Sequence, residues 1–440
     1  MTKDRYEPWD PKLTYVIGHQ RPDTDTIAAA LGYAWFLTAT GQENTIAARA
    51  GNLGPQALFA LRRFEQAAPR LLPDVAPTFG HAARHQIAVS PDDQLPAAMS
   101  RLAEGDRVIP VVDADGHPTG LVTPLALARA YTAMNVLEML AQPCQSIAEK
   151  TPTFYERDRI SDHRSALLRS DKDDFMVIDE AGRYVGVATR SRVLEPRRAR
   201  LILVDHNELS QAVAGAAEAE IVSVLDHHRL GNPPTAAPIP FIVEPVGSTA
   251  TLVAEQCHVR SLPPPVPLAG MLLSGILSDT LLFRSPTTTD RDRAMADWLA
   301  PLAKVDINAY GTELMGAAPG LTARTAEEIV DGDRKSYQFD GLTLSIGQVE
   351  VNSLQELPQR RAELLEALDQ RLHSEGLGLI CLMITDVVAE RSVLLCRGDG
   401  RLLAALPFRR TGEYEFNLGD MVSRKKQLVP ALHAALEEAR

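Results

Sequence analysis

The sequence predicts an α/β protein: a parallel-sheet domain interrupted by a tandem pair of small modules and followed by a second α/β lobe. Three observations carry this. Apolar runs end in His or Asp at three separate places, LTYVIGH (Leu13–His19), RLILVDH (Arg200–His206) and IVSVLDHH (Ile221–His228). Between the first and second lies a stretch with two similar copies, VIPVVDADGHPTGLVTPLALARAY (Val108–Tyr131) and FMVIDEAGRYVGVATRSRVLE (Phe175–Glu195). From about Tyr310 the pattern changes to alternating strands and helices, ending in PALHAALEEA.

Each element has a local reason. LTYVIG reads as a buried strand, and IAAALGYAWFLTAT after its loop has helical spacing and stops before Gly41, so the chain opens as strand–loop–helix. RLILVDHNE and IVSVLDHH repeat the logic, and ligands of open parallel sheets bind at the carboxyl ends of the strands. Each inserted copy reads as strand, Asp/Gly turn, strand, Thr, helix. Two copies make a pair and not a solenoid. SLPPPVP breaks the chain before the helix LAGMLLSGILSDT, and Pro430 stands at a favourable first-turn position of the last helix.

Composition excludes several classes. A chain of 440 residues suggests about three domains at roughly 150 residues each. With 45 basic and 57 acidic residues the formal charge is −12, a poor match to backbone-driven nucleic-acid binding, so no nucleic-acid partner is expected. The longest apolar runs, such as LGLICLMI, are too short to span a bilayer, and the first residues lack an apolar signal core, so no membrane partner is expected. Cys144, Cys257, Cys381 and Cys396 form no Cys-x-x-Cys pair and fit a reducing, cytoplasmic setting.

The chemistry gathers at the strand ends. GHQRPDTDT supplies His19, Asp23 and Asp25, imidazole plus carboxylates suited to Mn, Co or Fe; helix capping by either Asp is the competing reading. Asp205 ends the second strand, and His206 beside it reads as structural. Asp226, His227 and His228 form an uncommon triplet after an apolar strand, and Asp279 is an acid at the end of an apolar helix, where a compensating cation fits. The run Ser423, Arg424, Lys425, Lys426, Gln427 sits beside a helix start and offers a planar fork and mobile charges to phosphate oxygens; Lys335 in GDRKSYQF is a further cation. Two metals facing a cationic clamp describe phosphoryl transfer to water.

In order, GHQRPDTDT, LVDHNE, LDHHR, EPVGSTAT, SDTLLFRSPTTTD and SRKKQLVP resemble the motifs of family II inorganic pyrophosphatases of the DHH phosphoesterase superfamily, and the inserted pair resembles a tandem of CBS domains. The resemblance implies a DHH catalytic domain in two parts, 1–72 and 197–305, a CBS regulatory insert, 73–196, and a DHH-associated substrate-binding domain, 306–440. It implies hydrolysis of pyrophosphate to two phosphates through a hydroxide held between two metals. The first metal would take His19, Asp23, Asp205 and Asp279, and the second Asp25, Asp205, His227 and Asp279, with Asp205 and Asp279 bridging. His228 would face substrate as proton donor, and Lys335, Arg424 and Lys425 would bind phosphate. Two Mn2+ or Co2+ per site are implied, with Mg2+ arriving on the substrate, and so is a homodimer. At the CBS pair a nucleotide would meet Thr123, Thr189, Arg190 and Arg192. The ribose-binding acid of such modules is replaced here by Ala126 and Arg192, which predicts at most weak inhibition by AMP and ADP. Two alternatives are other DHH phosphoesterases, an exopolyphosphatase or an oligoribonuclease, and a non-catalytic nucleotide sensor. The chain lacks a Gly-Gly-Gly-His-like motif and keeps every candidate ligand, which weighs against both.

Overall fold

Thr14–Ile17 carries no charge, and all four of its residues are buried. Such a strand needs a sheet covered on both faces. It lies inside a six-stranded sheet in the order Phe241–Val243, Glu220–Asp226, Arg200–Val204, Thr14–Ile17, Thr45–Arg49, Arg70–Leu71, parallel throughout. The computed structural model describes residues 8–438 except 232–234, 236, 318–319, 322–323, 340–341, 352–353 and 387–390. From Thr14–Ile17 the chain builds outward to Arg70–Leu71, crosses the insert, and returns on the other side of its first strand with Arg200–Val204. The switch point of the sheet therefore falls between the strands that lead to His19 and Asp205, which is where open α/β sheets hold ligands.

One face of the sheet is covered by the helices Thr24–Ala39, Thr249–Val259, Val266–Asp279 and Asp290–Ala303, whose apolar side chains merge with Val16, Ile202, Val204 and Leu225. The first and third of these approach closely at Gly32, where a Cβ would stand 2.6 Å from a Leu272 methyl. The other face packs Tyr15, Ile17, Leu201 and Leu203 against Trp9, Leu72, Val75 and Val213. Val75 belongs to this core and its N–H bonds Ala214 O at 2.9 Å, so the first residues after Pro73 stay with the first lobe and the insert departs after Ala76.

The inserted copies fold as the repeat suggests. Ile109–Val112 pairs with Pro118–Val122, and Asp174–Ile178 with Tyr184–Thr189, each around a Gly at positive φ (Gly116, +88°; Gly182, +79°). Tyr184 N donates to Gly116 O across the pair at 2.8 Å, and Val108, Leu121, Met176 and Val187 form a shared core.

A second six-stranded sheet, mixed in direction, runs Arg334–Phe339, Leu342–Val351, Leu379–Asp386, Arg391–Gly398, Glu415–Gly419, Arg409–Gly412. Its central strand LICLMITD is buried along its whole length. The helix Ile307–Gly316, assigned to this lobe from sequence, instead buries Tyr310, Leu314 and Met315 in the first lobe's core, because its apolar stripe faces Phe59 and Phe64.

Asp292 joins two helix starts. Its fully buried carboxylate accepts from Gly247 N (2.9 Å), Thr251 Oγ1 (2.6 Å), Thr289 N (2.7 Å) and Thr289 Oγ1 (2.7 Å). Replacing it with Ala strands several buried donors at once, which predicts a loss of about 3 kcal/mol or more in urea unfolding. Asp292→Asn, which keeps an acceptor, is expected to lose less.

Candidate metal centre

Asp205 follows a strand and adopts φ +61°, a left-handed conformation that non-glycine residues hold at a cost of roughly 1–3 kcal/mol. Its N–H donates to Leu225 O (3.1 Å), and its side chain is buried at the switch point. The two carboxylate oxygens face different partners. Oδ2 lies 3.5 Å from His19 Nε2 and accepts from Thr26 Oγ1 at 2.6 Å. Oδ1 lies 3.4 Å from His227 Nε2 and accepts from Thr249 Oγ1 at 3.1 Å.

Around these oxygens three donor groups form among the described residues, the third of them Asp205 with His227 and His228. His19, Asp23 and Asp205 bring one ligand atom each within 4.8 Å of one another, and so do Asp25, Asp205, His227 and Asp279. Asp205 belongs to all three. Asp279 joins only the second among the described residues, so the expected second bridge is not seen. The reason is its place: it ends the helix Val266–Asp279 on the His227 side, with Oδ2 3.6 Å from His227 Nε2. The next turn is held by Leu281, Leu282 and Phe283, all at positive φ, with Leu282 pressed onto Gly311, where a Cβ would stand 2.2 Å from its Cδ2.

Asp23 takes the capping role and leaves room for the other: Oδ1 caps the helix Thr24–Ala39 by accepting from Thr26 N (2.9 Å), while Oδ2 stands 3.4 Å from His19 Nε2. Asp25 is fully buried at the start of the helix Thr249–Val259, accepting from Ser248 Oγ (2.5 Å), Thr249 N (2.7 Å) and Ala250 N (3.0 Å). These donors come from the GSTAT stretch, and Thr26 and Asp292 are likewise supports that sequence reasoning did not single out. Their signal was adjacency to the metal motifs. His227 donates from Nδ1 to Val246 O (3.1 Å), which leaves Nε2 as the nitrogen able to ligate. His228 Nδ1 is taken by Asp226 Oδ1 at 2.9 Å, so its Nε2 is the atom left for substrate, on a side chain 47% exposed. His206 turns Nδ1 to Val204 O (2.8 Å) and belongs to none of these donor groups.

Without cations the cluster is electrostatically frustrated. Burial, then Asp205, pushes Asp25 up to about 7; burial and the neighbouring Asp25 push Asp279 up. Burial opposes charge on Asp205, yet the His19 and His227 imidazoles beside its two oxygens outweigh it and hold the carboxyl well below the usual range. Burial likewise opposes charge on the two imidazoles, but Asp23 and Asp205 push His19 up to about 11 and Asp205 pushes His227 up to about 9. Three packed carboxylates and a buried His227 Nε2 with no hydrogen-bond partner are a donor set that fits divalent metal, of the all-N,O kind suited to Mn or Co.

Across a cavity of about 480 Å³ lined by Arg21, Asp23, Arg324, Asp333, Gln348 and Glu350 stands the second lobe, tied on by Arg21 Nη1 to Gly332 O at 2.8 Å. Arg424 is buried there, and Lys335 is the cross-strand partner of Ile346, whose carbonyl accepts from Arg424. Lys425 is exposed, and the side chain of Lys426 lies outside the described residues. The four residues expected to meet a nucleotide sit in the insert, away from these donor groups. Thr123 Oγ1 accepts from Ala126 N (3.0 Å) as a helix cap, and Thr189 Oγ1 lies 3.1 Å from Ser191 Oγ. Arg190 spends its guanidinium on Asp173 and the carbonyls of Ser170 and Lys172. Arg192 is half-buried.

Comparison with known proteins places the two lobes in known families. The DHH family N-terminal domain matches residues 13–276 and the DHHA2 domain residues 312–435. A cobalt-dependent inorganic pyrophosphatase of Clostridium perfringens is 26% identical over 96% of this chain and 98% of its own length. A manganese-dependent inorganic pyrophosphatase of Methanothrix thermoacetophila is 37% identical over 54% of this chain and 78% of its own length. A crystal structure assigned as a family II inorganic pyrophosphatase from Methanococcus jannaschii aligns over 97% of this chain and 100% of that one, with 26% identity and a TM-score of 0.58.

Two predictions follow from the donor sets. Asp205→Asn is expected to lose both bound Mn2+ ions and Asp279→Asn one, measured by metal analysis after gel filtration; a folded Asp205→Asn that keeps both would contradict the shared ligand. At pH 7 the metal-free imidazoles of His19 and His227 are protonated, since both lie above 7. Metal requires them neutral and requires the raised carboxyls of Asp25 and Asp279 ionised, so Mn2+ binding should release about two protons or more and weaken as pH falls. Calorimetry in buffers of different ionisation enthalpy reads that number directly.

Proposed function

Because the chain belongs to the DHH family and carries a DHHA2 domain, we propose that it is a metal-dependent inorganic pyrophosphatase. The observation that carries the reading is Asp205, whose two oxygens face two donor groups at the switch point of the sheet, opposite the lobe that holds Lys335, Arg424 and Lys425. His19, Asp23 and Asp205 would hold one ion, and Asp25, Asp205, His227 and Asp279 the other. Bound divalent ions supply an activated water and neutralise phosphoryl oxygens.

The chain's own groups do the rest. Lys335, Arg424 and Lys425 bind and orient phosphate oxygens on the second lobe, and closure onto the first lobe excludes water. An oxygen of water forms the new P–O bond and the bond to the bridging oxygen breaks. His228, its Nδ1–H held by Asp226, delivers a proton from Nε2 to the departing phosphate. Mn2+ or Co2+ are the expected resident ions, with Mg2+ on the substrate. The curated relatives named for these metals support that choice.

The insert is read as a CBS-type regulatory pair. Asp74, bonded by Arg159 Nε of the second module at 2.8 Å, pairs with Ala214. A few residues earlier Gln211 O and Ala212 O accept from Gln20, next to His19. This contact chain gives the insert a path to a metal ligand besides its join to the Asp205 strand. The placement of Arg190 supports weak binding of AMP and ADP. A homodimer and a cytoplasmic setting complete the reading.

Phosphate release from pyrophosphate, tripolyphosphate, long-chain polyphosphate and a dinucleotide, with Mn2+ and with chelator, tests the function. Pyrophosphate with Mn2+ should be the fastest by far and chelator should abolish it; preference for long chains would favour an exopolyphosphatase. His228→Gln is expected to lower kcat about a hundredfold with metal content unchanged. AMP at millimolar concentration should lower the rate less than about twofold if the contacts of the CBS-like pair lack ribose selectivity.

A further inference from the structure

Arg424 is 6% exposed, and most of its guanidinium is already engaged inside the second lobe. Nη1 donates to Asp333 O (2.5 Å) and Ile346 O (3.2 Å), and Nη2 donates to Asp333 Oδ1 (3.0 Å). A guanidinium has five N–H groups. The two not accounted for are the Nε–H, buried without a partner, and the second Nη2–H. They lie on one edge and point the same way, the side-on fork that matches two oxygens of a phosphate.

The backbone under this side chain is fixed as well. Arg424 N donates to Gln348 Oε1 (3.3 Å), while Gln348 Nε2 donates to Val422 O (3.2 Å). Both Gln348 and Asp333 line the cavity between the lobes that also contains Asp23 of the first donor group. We infer that Asp333 and Gln348 are positioning residues for phosphate: Asp333 occupies the Nη1–Nη2 end of Arg424 and so reserves its Nε–Nη2 edge for a phosphate oxygen pair, and Gln348 holds the loop in register. The inference rests on the pyrophosphatase reading and deepens it. A carboxylate that merely latched Arg424 away from substrate would have the opposite sign, since its removal would tighten binding.

The test uses the full-length, Mn2+-loaded protein, steady-state kinetics on pyrophosphate, and equilibrium binding of the non-hydrolysed analogue imidodiphosphate. Asp333→Ala is expected to raise KM and the analogue's Kd about tenfold while kcat moves less than about threefold and bound Mn2+ stays constant. Asp333→Asn keeps an acceptor for Nη2 and should recover most of the loss. On an Arg424→Ala background, Asp333→Ala should add nothing. Unchanged or lower KM in Asp333→Ala, or a full additional loss on the Arg424→Ala background, overturns the inference. Should Asp333→Ala not fold, Gln348→Ala carries the same expectation: a rise in KM that vanishes on the Arg424→Ala background. A wild-type protein that hydrolyses no pyrophosphate counts against the functional reading instead, and imidodiphosphate binding by the same variants still decides this one.

Discussion

One carboxylate with two outward duties sets the architecture of the site. Asp205 reaches the His19 group with one oxygen and the His227 group with the other, and it can do so because the chain turns through a left-handed conformation as it leaves a central strand. Placing Asp25, Asp205 and Asp279 together is costly. Two like charges 4 Å apart repel by about 4 kcal/mol at an effective dielectric of 20. Part of that cost is offset by fixed donors: the start of the helix Thr249–Val259 on Asp25, and the hydroxyls of Thr26 and Thr249 on Asp205. The remainder is what divalent cations would neutralise, so the same geometry that sets like charges against one another gives the cluster affinity for them.

The rest of the fold serves this arrangement by dividing labour. The parallel sheet fixes the strand ends, and the buried Asp292 locks two helix starts so that the loop presenting Ser248 and Thr249 cannot drift. The mixed-sheet lobe brings Asp333 and Gln348, which both bond Arg424, to one side of a cleft whose other side carries Asp23. The insert leaves and rejoins the chain between the edge strand and the strand of Asp205, which spares the catalytic core while keeping contact with it through Asp74 and Arg159.

Much of this was legible in the sequence, and the limits have physical causes. Apolar runs capped by Asp and His marked the strand ends, because a fully buried parallel strand cannot hide its polar residues anywhere else. The duplicated strand–turn–strand pattern marked the insert. What sequence could not give was orientation. Asp279 was expected to touch both metals, yet among the described residues it groups with Asp25, Asp205 and His227 and not with His19 and Asp23. Asp23 was read as cap or ligand, although its two oxygens allow both. Arg190 looked available for phosphate until Asp173 and two carbonyls were found around it. The helix Ile307–Gly316 was placed in the wrong lobe because its stripe does not reveal which core it faces.

The account stands or falls on Asp205 serving two ions. Anomalous diffraction from a crystal of the protein grown with Mn2+ measures this directly. It should show two peaks in the site, each bonded to a different oxygen of Asp205, one flanked by His19 and Asp23 and the other by Asp25, His227 and Asp279. A single peak, or two peaks of which only one touches Asp205, would contradict it.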